Sequence, residues 1–72
     1  MQKIFIRDEF IKLGQALKLA GLVDSGLDAK IVIQNGEVTL NGVLETQRGK
    51  KCVPGDEICF DGNVFVIEGN SK

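Results

Sequence analysis

Residues 25–42 read SGLDAKIVIQNGEVTLNG, and this stretch decides the fold. Ser25 is suited to an N-cap, since its hydroxyl can accept from an unpaired backbone N–H of the first turn. Asp28, three residues on, occupies the reciprocal position of a capping box, where Glu or Gln is commoner. The run from Gly26 to Gln34 reads as a helix, and Asn35-Gly36 supplies the left-handed residue that ends helices at low cost. Val38 and Leu40 then alternate with Glu37 and Thr39 at strand spacing. Asn41-Gly42 is a strong signal for a two-residue hairpin turn. A short helix therefore passes almost without slack into a hairpin.

Upstream, Met1 to Ile6 is apolar-rich and reads as a strand. Asp8 is a candidate cap for a first helix over Glu9–Ala20, whose Phe10, Leu13, Leu17 and Ala20 fall on one face. Lys12, Gln15 and Lys18 form a separate polar stripe. Gly21 is the expected C-terminal cap, and residues 22–24 form a short connector. The two helices must then pack as a pair, with Ala16, Ala20 and Ala29 small enough for close approach. Downstream, Val43 to Thr46 returns as a strand, and residues 47–55, QRGKKCVPG, form a polar loop closed by Pro54-Gly55. Residues 57–60 alternate with Ile58 and Phe60 inward, Asp61-Gly62 makes a second hairpin turn, and Val64 to Ile67 is the last strand. Glu68 to Lys72 reads as a frayed tail. The expected class is α+β, with two packed helices against a small, mostly antiparallel sheet.

Seventy-two residues make one domain, near the lower limit for a fold held by a single core. The composition, 43% hydrophobic and 26% charged, is that of an ordinary soluble chain. No apolar run is long enough to span a membrane, and Arg7, Asp8, Glu9 and Lys12 interrupt any signal-peptide core, so the expected location is cytoplasmic. Cys52 and Cys59, without a histidine in the chain, match no zinc or redox motif and read as plain thiols. Catalysis is not expected, because no thiol adjoins a base and the carboxylates are scattered at turns and strand ends. No cofactor and no metal are expected.

Net charge is −1, which by itself argues against a nucleic-acid partner. The distribution qualifies that. From Lys12 to Lys51 there are six basic and four acidic residues, whereas beyond Cys52 four acids face the single base Lys72. A local basic face on an acidic protein follows, although charge runs are commonly only solvated surface.

The segments LGQALKLAGLVDSGLDAKIVIQNGEVTLNG and RGKKCVPGDEI carry a resemblance. Together they resemble the S-four RNA-binding domain, the alpha-L motif of ribosomal small-subunit protein four. The match covers about Lys12 to Phe60 and looks most like small bacterial proteins made of this domain alone, so residues 1–72 are expected to form a single such domain. The resemblance implies a two-helix surface, completed by a basic loop, that docks on structured RNA. Lys12 matches the basic position opening the motif, and Lys30 the basic residue that follows the small residue of the second helix. Ser25 and Gly26 fall at the helix start that faces RNA, and Arg48, Lys50 and Lys51 match the basic loop. With Gln15 and Lys18 of the polar stripe, these are the candidate RNA-binding residues. Two positions depart from the family pattern. Gly14 stands where many members carry an acid, at a cost of about 1 kcal/mol of helix stability relative to alanine. Gly26 stands where many carry arginine, which removes one cation.

Cations neutralise phosphates and release counterions, and a helix N-terminus offers N–H groups to a phosphate. Structured RNA is recognised largely by shape, phosphates and 2′-hydroxyls. The chain has no Trp or Tyr, and Phe5, Phe10, Phe60 and Phe65 sit at plausible core positions, which favours backbone and shape recognition over base stacking. The expected partner is ribosomal or transfer RNA, with the ribosome itself a candidate, bound by a monomer away from membranes. Two alternatives are a protein–protein adaptor working through Ile11, Leu19 or Ile31, and a β-grasp sulfur carrier. The carrier reading suffers because the chain ends in residues 68–72, EGNSK, without the required terminal Gly-Gly.

Overall fold

The computed structural model describes residues 2–69. Its elements run β1 (Gln2–Ile6), β2 (Ile11–Lys12), α1 (Leu13–Leu19), α2 (Gly26–Gln34), β3 (Val38–Leu40), β4 (Val43–Leu44), β5 (Lys51–Cys52), β6 (Glu57–Phe60) and β7 (Asn63–Gly69). Five strands form a sheet in the order β1-β7-β6-β3-β4, and β2 and β5 form a separate two-stranded ribbon. Only the β1–β7 pairing is parallel, and it joins the two ends of the described chain. The expected two-helix α+β architecture is therefore present. Among the described residues no single long helix crosses the sheet, as a β-grasp arrangement would require.

The local signals explain most of the boundaries. The Ser25 Oγ accepts the Asp28 N–H at 3.1 Å, and α2 spans Gly26–Gln34 as the sequence predicts. Both helices close with a Schellman pattern. Gly21 N–H donates to Lys18 O and Leu22 N–H to Leu17 O after α1; Gly36 N–H to Ile33 O and Glu37 N–H to Val32 O follow α2. Asn41 and Gly42 have φ of 54° and 81°, and Asp61 and Gly62 have 53° and 78°. These are the positive pairs that a two-residue hairpin turn of matching twist requires.

One side of the sheet contributes Ile4, Ile6, Val38, Ile58, Phe65 and Ile67 to the core, and the helices contribute Leu13, Ala16, Leu17, Ala20, Ala29 and Ile33. Asn41 does more than turn the chain. Its Nδ2 donates to Asp56 Oδ1 at 3.0 Å, and its Oδ1 accepts the Glu57 N–H at 2.9 Å. The second Asp56 oxygen accepts the Val53 N–H at 2.8 Å, which sets the Pro54-Gly55 turn.

Several expectations need correction. The first helix begins at Leu13 rather than Glu9, because Ile11 and Lys12 are drawn into the ribbon opposite Cys52 and Lys51. Asp8 therefore caps no helix. Lys12 occupies the N-cap position, with no side-chain bond to the helix. The strand expected over residues 43–46 is confined to Val43–Leu44. Glu68 and Gly69 are not frayed, since β7 carries them along β1 opposite Phe5 and Ile6. The remaining tail, residues 70–72, and Met1 lie outside the described residues. Two phenylalanines are not core residues: Phe5 is 66% exposed and Phe10 37%.

Candidate nucleic-acid interface

The polar loop is held against the start of α1 by backbone bonds. Leu13 N–H donates to Lys50 O at 2.9 Å, and Gly14 N–H donates to Arg48 O at 3.1 Å. Two of the first-turn donors that a helix leaves unpaired are thus satisfied by loop carbonyls. The same bonds fix where Arg48 leaves the loop. Its aliphatic stem crosses directly over Gly14, where a Cβ would lie only 2.8 Å from Arg48 Cγ. Gly14 is buried, and its absent side chain is the space that Arg48 occupies. What reads in sequence as a weak point in the helix is the seat of a cation.

These contacts close a cleft of about 310 Å³ lined by Lys12, Gly14, Gln15, Lys18, Gly26, Arg48 and Gly49. Three cations converge there from the ribbon, the exposed face of α1 and the loop. Gly26 and Gly49 leave the backbone approachable, since nothing lies within 4 Å of a Cβ built on either. Among the described residues no lysine or arginine side chain takes part in a hydrogen bond. Such a cleft suits an anion of phosphate size, with Arg48 offering its planar fork of donors.

The remaining candidates surround the cleft without lining it. Lys51 stands directly opposite Lys12 on the ribbon, so both side chains share one face while Ile11 and Cys52 point to the core. Lys51 Nζ also lies 4.8 Å from the Phe10 ring centroid, a cation–π distance. Lys50 is exposed beside it. Lys30 is half-buried, one helical turn after Gly26 on α2. Ser25 is committed to capping α2. Sequence reasoning missed Gly49 and the role of Gly14, and no local signal distinguishes either glycine from loop chemistry.

Neither thiol belongs to the cleft. Both are free; Cys52 is buried and Cys59 half-buried. Burial pushes the Cys52 thiol up to about 11, with Asp56 and Glu45 adding to the effect. It is protonated at neutral pH and unsuited to nucleophilic work. Among the described residues no group of His, Cys, Asp or Glu could hold a metal ion, and no helix is long and apolar enough to cross a membrane.

The S4 domain family matches residues 4–68, all but the ends of the chain. The chain belongs to the S4 domain family. One S4 domain relative, from Escherichia coli (strain K12), is named "Putative RNA-binding protein YbcJ". It is 40% identical over 57 residues, covering 79% of this chain and 81% of its own length. Another, from Bacillus subtilis (strain 168), is named "Probable ribosome maturation protein RlbA". It is 41% identical over 59 residues, 82% of this chain and 83% of its own. The solution structure of E. coli YbcJ, described as revealing an alpha-L motif involved in RNA-binding, superposes with a TM-score of 0.73 at 32% identity. The superposition covers 94% of this chain and 87% of YbcJ.

Proposed function

We propose that this S4 domain is an RNA-binding protein that docks on structured RNA through the cleft and its surround. Lys12, Lys18 and Arg48 contact phosphates within the cleft, and Lys30, Lys50 and Lys51 contact them at its edge. Gln15, Ser25 and Gly26 offer uncharged donors, including the first N–H groups of α2. The convergence of three cations with the open backbone of Gly26 and Gly49 carries this reading, because it gives both the charge and the close approach that a phosphate backbone needs. The names of YbcJ and RlbA support it, and RlbA's favours ribosomal RNA over transfer RNA as the target. The whole chain acts as one binding unit, a monomer in the cytoplasm that requires no cofactor and catalyses no reaction. The adaptor alternative is weakened at Ile11, which is half-buried against the core, although Leu19 and Ile31 stay exposed.

The test is a titration against folded RNA hairpins at several salt concentrations. Neutralising about four or five phosphates gives a log–log salt slope near −3 to −4.5. Lys12→Ala combined with Arg48→Ala should flatten it by about one to two units and weaken different hairpins alike. A folded double variant with unchanged affinity and slope would reject the cleft as the phosphate site.

A further inference from the structure

Beside the basic cleft lies a second, larger depression that the phosphate reading leaves unexplained. It has a volume of about 580 Å³ and runs between the connection from β1 to β2 and the outer face of α1. Phe10, Ile11 and Leu19 give it apolar walls, while Arg7, Asp8 and Gln15 bring polar groups to it. Phe10 and Leu19 are 37% and 57% exposed and share the groove with the exposed Phe5, so the apolar side chains form a patch rather than standing singly. The two depressions adjoin, because Gln15 and Lys18 line both.

We propose that this groove seats an unpaired nucleobase of the bound RNA, stacked against Phe10, while the adjoining phosphates occupy the cleft. The inference rests on the RNA-binding reading and adds to it a preference for RNA carrying a bulged or flanking unpaired nucleotide. The linings sort the two depressions. The cleft presents three cations with the open backbone of Gly26 and Gly49, as a phosphate requires. The groove keeps the cations Arg7 and Lys18 but adds apolar walls and the Asp8 carboxylate, which accepts from a base amino or imino group. Every base has a π-face, so an exposed aromatic ring serves as a stacking surface without selecting a sequence. Lys51 Nζ lies 4.8 Å from the centroid of the same ring, so a cation for an adjoining phosphate stands beside the stacking surface and the base takes the ring's other face.

The experiment compares two RNA hairpins with identical stems, one fully paired and one carrying a single unpaired 2-aminopurine at varied positions. Wild-type protein should prefer the unpaired RNA by about fivefold or more at one position, and the 2-aminopurine fluorescence should be quenched on binding. Phe10→Ala and Phe10→Leu should abolish both the preference and the quench, while affinity for the paired hairpin stays within about twofold. Phe10→Leu keeps an apolar side chain in place, and circular dichroism melting verifies that each variant folds. Salt-dependent binding of both hairpins without preference or quench at any position would overturn the nucleobase seat and leave the phosphate reading standing. Retention of both signals by Phe10→Leu would overturn it as well. Binding of neither hairpin would overturn the two readings together.

Discussion

Substituting Gly14 by alanine separates binding from stability at a single methyl group. The added Cβ falls 2.8 Å from Arg48 Cγ and 3.4 Å from Arg48 Cδ, while Ala29 Cβ, at 3.6 Å, is in ordinary contact. The helix pair therefore accepts the methyl and the Arg48 stem does not. Cγ lies close to the backbone, and the Arg48 carbonyl is tied to the Gly14 N–H, so the side chain cannot yield by moving its tip alone. Gly14 is helical without a positive φ, and alanine in a helix is favoured over glycine by up to about 1 kcal/mol. Thermal stability should therefore change little, the helix gain offsetting the cost of shifting the Arg48 stem, while RNA binding falls. Losing one phosphate contact removes a salt slope of about 0.9, which near 0.1 M salt is roughly eightfold in affinity. The assay is a double-mutant cycle with Arg48→Ala, read by hairpin titration at several salt concentrations. With no stem to displace, Gly14→Ala in the Arg48→Ala background should change affinity by less than about twofold, a coupling close to the whole eightfold effect. Equal losses in both backgrounds, or none in either, would refute the idea that Gly14 seats Arg48 for RNA.

Three further outcomes follow from the same contacts. Asn41→Ala should lower stability by about 1–3 kcal/mol, since it strands Asp56 and the Glu57 N–H and places alanine at positive φ. That is roughly 5–20 °C in melting temperature for a domain of this size, and Asn41→Gly should recover the backbone part. Lys12→Ala should raise stability by a few tenths of a kcal/mol at low salt, by relieving its repulsion with Lys51, while weakening RNA binding; urea unfolding and titration read the two effects. The Cys52 thiol, raised from 9.0 to about 11 by burial, stays protonated in the fold while the unfolded chain releases its proton. The unfolded state then binds fewer protons, so this group should cost about 1.4 kcal/mol of stability per pH unit between roughly pH 9 and 11. Cys52→Ala should show a shallower decline in urea unfolding over that window, and parallel curves would contradict the assignment.

The features legible in the sequence are those written in neighbouring residues. The Ser25 cap, the extent of α2, the glycine stops and both hairpin turns depend on chemistry within a few positions, and each appears where expected. The start of α1 does not have a local cause. Residues 9–12 have helical spacing, but Ile11 and Lys12 pair with Cys52 and Lys51, and the first-turn donors go to Lys50 and Arg48. A segment far downstream thus decides whether this stretch is strand or helix. The same tertiary choice turns Phe10 outward, because a strand alternates its faces and Ile11 takes the inward one. For the site, the basic residues were legible by type, while their gathering around Gly14 needed the loop in place.

The positions that break local rules are gathered at one place. Gly14 weakens a helix of only seven residues, Lys12 stands opposite Lys51, and Phe10 lies exposed beneath a lysine. Away from this surface the backbone obeys the rules closely, with a capped helix, Schellman ends, matched hairpin turns and no buried unpartnered side-chain polar atom among the described residues, although Leu27, Val43 and Leu44 are exposed there too. Local inconsistencies are expected where function opposes stability. Treated as ordinary solvated surface, the three exceptions require three separate accidents. A polyanion with a stackable base accounts for all of them at once: it neutralises the paired lysines, uses the arginine that Gly14 makes room for, and covers the exposed ring. The acids of β6 and β7 line neither depression, so the negative net charge does not oppose that partner where it would bind.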